Sequence, residues 1–234
     1  MASIYFTSDT HYGHQNIASK NNSQWKEGQR HYYSLEEMNQ DIIKQFNKTL
    51  KSDDILYHLG DWSFGGIGNI YDFWKQLPTK NIHLILGNHD THIDANKILP
   101  NCIDTGTLTQ RIIIDGKPDS PTDFVFAKDL FLSVNQVNNI SEFFMSHYAH
   151  RVWPGSHKGA IHLYGHSHDS LDKPEFTGIP FVKEPAWGKS MDVGIDSAIR
   201  ILGVARPFHI EEIREIMKSR EIFFPDHHNS KTNV

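Results

Sequence analysis

A layered α/β or α+β domain is the fold class that the sequence predicts, and two patterns predict it. Short apolar runs of strand length alternate with amphipathic runs of helical period, and such elements bury their apolar sides against one another in layers. Five of the apolar runs also end in clusters of Asp, Asn and His, and in layered domains functional groups gather beyond the carboxyl ends of strands.

Strands are expected over 4–8, 55–59, 82–86, 112–114, 124–126, 143–146, 161–164 and 191–195, each apolar and most bounded by polar or glycine-bearing segments. The helices read more clearly. Ser34 and Glu37 make a capping-box pair ahead of Leu35, Met38, Ile42, Phe46 and Leu50. Asn69 is placed to cap a helix carrying Ile70, Phe73, Trp74 and Leu77, which Pro78 stops. Pro207 precedes a helix with Ile210, Ile213, Ile216 and Met217 on one face. Segments 15–33 and 115–123 are polar and read as loops or a hairpin connection, and the polar stretch 225–234 is expected to fray. No linker composition, repeat or low-complexity block interrupts 1–234, so one domain is expected.

With 234 residues, 38% hydrophobic and 22% charged, the chain is long enough to bury a core without disulfides. No apolar run approaches the ~18 residues needed to cross a bilayer. Residues 1–9 lack the basic region and cleavage site of a leader, so none is expected. A lone cysteine, Cys102, excludes an internal disulfide framework and fits a reducing compartment, which makes the cytoplasm the expected location. The net charge of -5 argues against a broad basic footprint for duplex nucleic acid. Against this ordinary background stand 16 histidines, as many as glycines.

Their placement carries the chemistry. Run 4–8 leads into Asp9-Thr10-His11, 55–59 into Gly60-Asp61, and 82–86 into Gly87-Asn88-His89-Asp90. Run 143–146 leads into His147, and 161–164 into Gly165-His166-Ser167-His168. The glycines let the backbone turn sharply and approach an ion. Asp9, His11, Asp61, Asn88, His147, His166 and His168 are too many donors for one tetrahedral zinc. They suit two divalent ions ~3.5–4 Å apart that share a carboxylate. Positions i and i+2 of an extended chain share a face, which puts His11 beside Asp9 and His168 beside His166. The mixed nitrogen and oxygen donors favour first-row ions over Ca²⁺, with Mn²⁺ expected and Fe, Zn²⁺ or Ni²⁺ as alternatives. A turn explains any one cluster alone, but it does not explain histidines at the fourth and fifth.

This ordered set resembles the calcineurin-like metallophosphoesterases over residues 9–168. Asp9-Thr10-His11-Tyr12-Gly13-His14 and His58-Leu59-Gly60-Asp61 look like a small, mostly prokaryotic and phage branch. The resemblance implies a two-sheet β-sandwich flanked by helices. It implies one ion held by Asp9, His11, Asp61 and His168, and a second held by Asp61, Asn88, His147 and His166, with Asp61 bridging. It also implies that His89 protonates the leaving oxygen and that Asp90 orients His89. Many relatives carry a second aspartate, often followed by arginine, shortly after the bridging acid. Here Asp61-Trp62-Ser63-Phe64-Gly65 has neither, which weakens a protein serine/threonine phosphatase reading.

The expected activity is dinuclear-metal hydrolysis of a phosphoester, foremost a diester of a small nucleotide or single-stranded nucleic acid. A phosphomonoesterase is the alternative, and a non-catalytic metal-binding interaction module a weaker one, because a scaffold needs no His89–Asp90 pair. A single-zinc amidohydrolase would want His-x-His after the first strand and a longer barrel. His14, Arg30, His150 and Arg151 are candidate phosphate contacts. For His14 the competing reading is a bond within its loop, and for the others a solvated surface charge. His58, His83 and His162 are expected as hydrogen-bonded strand residues, His227 and His228 as solvated. Trp25, Trp62, Trp153 and Trp187 are expected to pack in the interior.

Overall fold

The apolar runs pair into two sheets in the computed structural model, which describes residues 2–18, 30–96, 102–104, 110–115, 124–127, 129–136, 139–172 and 188–222. In chain order the elements are β1 (Ile4–Thr7), α1 (Gln15–Ala18), α2 (Leu35–Thr49), β2 (Ile55–His58), α3 (Ile67–Gln76), β3 (Ile82–Ile85), α4 (Thr91–Asn96), β4 (Cys102–Asp104), β5 (Gln110–Asp115), β6 (Phe124–Ala127), β7 (Asp129–Gln136), β8 (Asn139–Ser146), β9 (Ile161–Tyr164), β10 (Ser190–Asp192), α5 (Ile195–Leu202), β11 (Phe208–His209) and α6 (Ile210–Lys218). The first sheet runs β11-β1-β2-β3-β6-β4 and the second β10-β9-β8-β7-β5. β1, β2 and β3 are parallel neighbours, as are β8, β9 and β10, so their carboxyl ends point one way within each sheet.

Alternation along the strands builds two cores. Phe6, Ile55, Tyr57 and Leu59 face the second sheet and pack with Leu132, Val134, Phe143, Met145, Leu163 and Met191. Phe208, Ile210, Ile213 and Met217 close that layer from α6. Leu56, Ile82 and Leu84 point the other way and meet Met38, Ile42 and Phe46 of α2 with Ile70 and Phe73 of α3. Burial on both faces explains why these strands read as continuous apolar runs.

Helix α2 starts where the Ser34–Glu37 pair predicts, with Ser34 accepting from the Glu37 N–H at 3.1 Å. The Glu37 carboxylate reaches the Tyr33 N–H. Helix α3 starts earlier than expected, capped by Gly66, and Asn69 sits inside it donating to the Phe64 carbonyl. Helix α6 begins at Ile210, capped by His209, whose capping box with Glu212 does what Pro207 was expected to mark. The strand expected over 191–195 is wrong at its far end. β10 stops at Asp192, and Ile195 opens α5, because Gly194 sits at the N-cap and the apolar residues beyond it follow helical spacing. Strands β4, β7 and β11 and helices α1, α4 and α5 were not expected. Within 15–33, Gln15–Ala18 is helical rather than loop. Residues 116–123, the stretch 225–234, Trp25 and Trp187 lie outside the described residues.

Candidate metal centre

The strand ends converge where the two sheets meet. The Asp9 N–H donates to the Gly60 carbonyl at 2.9 Å and the His11 N–H to the Asp61 carbonyl at 3.0 Å, tying the β1 turn to the β2 turn. Across to the second sheet, the His166 N–H donates to Asp9 Oδ2 at 2.9 Å. Two glycines permit this approach: a Cβ at Gly87 would overlap the Asp61 carboxylate, and one at Gly165 would overlap Ser8 Oγ and Asp9 Oδ2. The backbone is strained in a telling place. Among the described residues the non-glycine positions with positive φ are Asp9, His11, Asp61, His166, His168 and Asp169. All but Asp169 are residues singled out as ligands. Asp and His tolerate this region better than most side chains, and strain of this kind persists where the surroundings over-determine it.

The side chains form two groups, Asp9–His11–His168 and Asp61–His147–His166, in each of which the donor atoms lie within 4.8 Å of one another. Asp61 joins them: its Oδ2 stands 3.4 Å from His11 Nε2 and 3.5 Å from His147 Nε2. His11 Nε2 and His168 Nε2 face each other at 3.3 Å. Asn88 Oδ1 lies 3.0 Å from His147 Nε2 and 2.9 Å from His166 Nδ1. Donors about 2.1 Å from one ion at tetrahedral or octahedral angles stand about 3.0–3.4 Å apart. The spacing and the nitrogen–oxygen chemistry of these residues therefore fit two cations on either side of Asp61.

Hydrogen bonds behind the histidines set their tautomers. His147 Nδ1 donates to the Leu59 carbonyl at 2.8 Å and His168 Nδ1 to Asp196 at 2.9 Å, leaving both Nε2 atoms as lone pairs aimed at the centre. Burial, and then the His168 charge, lower the His11 pKa well below the usual histidine value. Burial would lower His147 too, but its hydrogen bond to Asp61 and the Asp9 and Asp61 charges push it up to about 9. A cation there competes with that proton for the same lone pair. Burial raises the Asp9 pKa, whereas the His147 and His11 partners outweigh burial at Asp61 and hold it low.

The other predicted residues are distributed differently. His89 and Asn88 are exposed at the rim; the His89 backbone N–H donates to Asp61 Oδ1 at 2.9 Å, and its ring meets His11 edge-on at 5.3 Å. Asp90 does not orient His89. Its buried carboxylate accepts the N–H groups of Asp61 at 2.8 Å, Trp62 at 2.9 Å and Gly87 at 2.8 Å, which leaves it stapling the β2 turn to the β3 turn. Burial, helped by the Asp61 charge, pushes its pKa up to about 6. Arg30 is neither a phosphate contact nor a solvated charge. It is 2% exposed, pairs with Asp196 at 3.0 Å, and donates to the Thr10 carbonyl at 2.9 Å and to the Asp9 carbonyl. His14 does reach the centre, with its ring 5.3 Å from His11 and 4.1 Å from Phe64, and its buried Nδ1 has no hydrogen-bond partner among the described residues. His150 is exposed, its ring edge-on to Phe144 and His162, and Arg151 is exposed; neither is drawn in among the donor groups.

His58 and His162 are buried and hydrogen-bonded as expected, to Thr10 Oγ1 at 2.8 Å and to the His150 N–H at 2.9 Å. His83 differs: it stacks on Tyr57 and its Nδ1 has no partner among the described residues. Trp62 and Trp153 are buried. Sequence reasoning missed Asp196, which holds His168 and Arg30. It also missed Asp192, which accepts from Ser167 Oγ, the Asp169 N–H and the Gly194 N–H beneath the β9 turn. The signal for Asp196 was the start of α5, an acid in the first turn behind a glycine, hidden by reading 191–195 as strand.

Comparison with known proteins bears on this arrangement. Over 61 residues the chain is 41% identical to an uncharacterized protein, MJ1445, of Methanocaldococcus jannaschii, a match that spans 26% of this chain and 31% of that protein. A crystal structure of a protein of unknown function, AQ665, from Aquifex aeolicus superposes with a TM-score of 0.52 at 19% identity, covering 92% of this chain and all of that one, which supports the fold. The calcineurin-like phosphoesterase family model matches residues 2–172, the span that holds every donor of both groups. The chain thus belongs to the calcineurin-like phosphoesterases, a family of metal-dependent phosphoester hydrolases.

Proposed function

We propose that the protein hydrolyses phosphodiesters of small nucleotides or single-stranded nucleic acid, using two divalent ions, with Mn²⁺ the native metal. Asp9, His11, Asp61 and His168 hold one ion; Asp61, Asn88, His147 and His166 hold the other. The observation that carries the dinuclear reading is Asp61 Oδ2, within 3.5 Å of a histidine from each group. Bound in such a pair, divalent ions stabilise phosphoryl oxygens and make a water nucleophilic at neutral pH. The chain supplies the rest. Asp90 and the Asp61–His89 backbone bond fix the rim, and the exposed His89 ring donates a proton to the leaving oxygen. Exposed rings flank the centre, Phe64 beside His14 and His89 at the rim and Tyr148 beside His147 and His166. Two such surfaces suit the two organic substituents of a diester better than the one of a monoester. We take the whole chain as one catalytic domain acting in the cytoplasm, in keeping with its lone cysteine.

The test joins a metal titration to a substrate screen. Wild type should bind two Mn²⁺ per chain and cleave bis-p-nitrophenyl phosphate or a cyclic nucleotide faster than p-nitrophenyl phosphate. Asp61→Asn removes the charge both ions share, so both should bind more weakly and turnover should collapse. A variant that keeps two ions and full rate would show that another group bridges. A preference for p-nitrophenyl phosphate would make the enzyme a monoesterase.

A further inference from the structure

Resting on that phosphoesterase reading, we propose that Phe64 and the cleft beside it are the specificity subsite for the departing group, and that the group selected is planar and aromatic, such as an aryl or nucleobase-bearing alcohol. Phe64 is 41% exposed, whereas Trp62, two residues away, is fully buried. An isolated exposed ring needs no explanation. This one is neither isolated nor loose. It lies 4.1 Å from the His14 ring and 5.5 Å from the His89 ring. The His14 plane is tilted by 60° to it, so His14 does not cover it.

The backbone beneath the ring is held from both sides. The Phe64 N–H donates to the Tyr12 carbonyl at 2.8 Å, and the Phe64 carbonyl accepts from Asn69 Nδ2 at 2.6 Å. Gly65 and Gly66 follow at φ of 91° and 95°, turning the chain into α3. A rigid aromatic platform binds with little ordering cost, which is what a recognition surface requires. The adjoining cleft, about 360 Å³, is lined by Phe64, Gly66, Ile70, Asn88, His89 and His92. That volume is at the small end of ligand pockets, about 300–1,000 Å³, and suits one flat group with its sugar or linker. Asn88 and His89 give the cleft its chemical direction. The group that leaves takes its proton from His89, so the leaving side of the substrate is the side that enters this cleft.

Stacking on an aromatic side chain changes affinity by roughly 5- to 150-fold per base. The probes are phenylphosphonate and methylphosphonate, which share the phosphonate and differ in the flat ring, titrated calorimetrically into the Mn²⁺-loaded full chain with metal content measured alongside. Wild type should bind phenylphosphonate at least about fivefold tighter. Phe64→Ala and Phe64→Leu should bring the two ligands to near parity, Phe64→Trp should keep or widen the gap, and Tyr148→Ala should leave it. The proposal is overturned if Phe64→Ala keeps the preference, if Tyr148→Ala erases it instead, or if wild type has none. Equal loss of both ligands in Phe64→Ala at unchanged metal content also overturns it, because Phe64 would then only prop His14 and His89. If neither phosphonate binds wild type carrying two ions, the subsite proposal is overturned, while turnover of bis-p-nitrophenyl phosphate by the same preparation decides the phosphodiesterase reading separately.

Discussion

His89 differs from the other histidines of the centre in what its ring touches. It meets His11 and Phe64 edge-on, and only its backbone N–H is tied to the donor set. A ring placed so can reach a substrate without holding an ion. His89→Asn should therefore leave the Mn²⁺ content intact while lowering kcat by about 10²–10⁴. The loss should be largest for a ribose or alkyl leaving group and smaller for p-nitrophenol, which departs without a proton. Rate ratios of wild type to variant on both leaving groups decide the matter; equal ratios would mean that His89 grips the phosphate. Asp90 teaches the opposite lesson at the same scale. The family resemblance implies a carboxylate–imidazole pair with His89, yet the carboxylate is turned instead onto three backbone N–H groups. Its chemistry is the shape of the Asp61 turn.

Among the elements, the Asp9–His11–His168 group depends on a helix that carries none of its donors. Asp196 in the first turn of α5 receives His168 Nδ1–H and two Arg30 N–H groups, at 2.9, 3.1 and 3.0 Å. Burial would raise the Asp196 pKa, but Arg30 and His168 hold it well below the carboxylate range. Breaking a buried pair strands a charge, so Arg30→Met should destabilise the protein by about 3–5 kcal/mol in urea unfolding. Asp196→Asn keeps an acceptor for His168 and loses the charge behind it. Chelator competition should then show Mn²⁺ affinity reduced by about 10- to 100-fold at one site, the other being much less affected. Equal weakening of both sites would mean that Asp196 supports the fold rather than His168.

Across the whole molecule, buried neutral histidines make stability depend on pH. Burial lowers His58 and His162 to about 3, against 6.5 for a solvated histidine. Between those values the unfolded chain binds protons that the native state does not, so stability is full above pH 6.5 and falls as the pH drops through the window. For His162 alone the loss from pH 7.5 to pH 5 is about 2 kcal/mol. His162→Gln retains a donor and an acceptor for the Phe144 carbonyl and the His150 N–H while removing the proton site. Urea unfolding of metal-free wild type and variant at the two pH values should differ in slope by that amount. Parallel losses would place the acid sensitivity elsewhere.

The layered class, the strands that lead into the centre, and the donor residue types with their order are legible along the chain. Those features are local: a buried strand needs a run of apolar residues, a helix start needs its cap, and an ion needs Asp, Asn and His whatever surrounds them. Contacts decided the rest. Strand β11 pairs with β1 about 200 positions away and β4 with β6 across an intervening strand, β7 is one arm of a hairpin with β8, and α5 was hidden because its apolar residues continue those of β10. Arg30 reads as a surface charge until Asp196, 166 positions away, turns it into a buried strut. Asp90 is implied by the resemblance to orient His89 until the β2 and β3 turns close around it. Folding assigns those roles, because a charged side chain is free to take any partner brought within hydrogen-bond reach: the β2 and β3 turns close on Asp90 once their strands pair, and Asp196 meets Arg30 only when α5 packs against the segment ahead of α2.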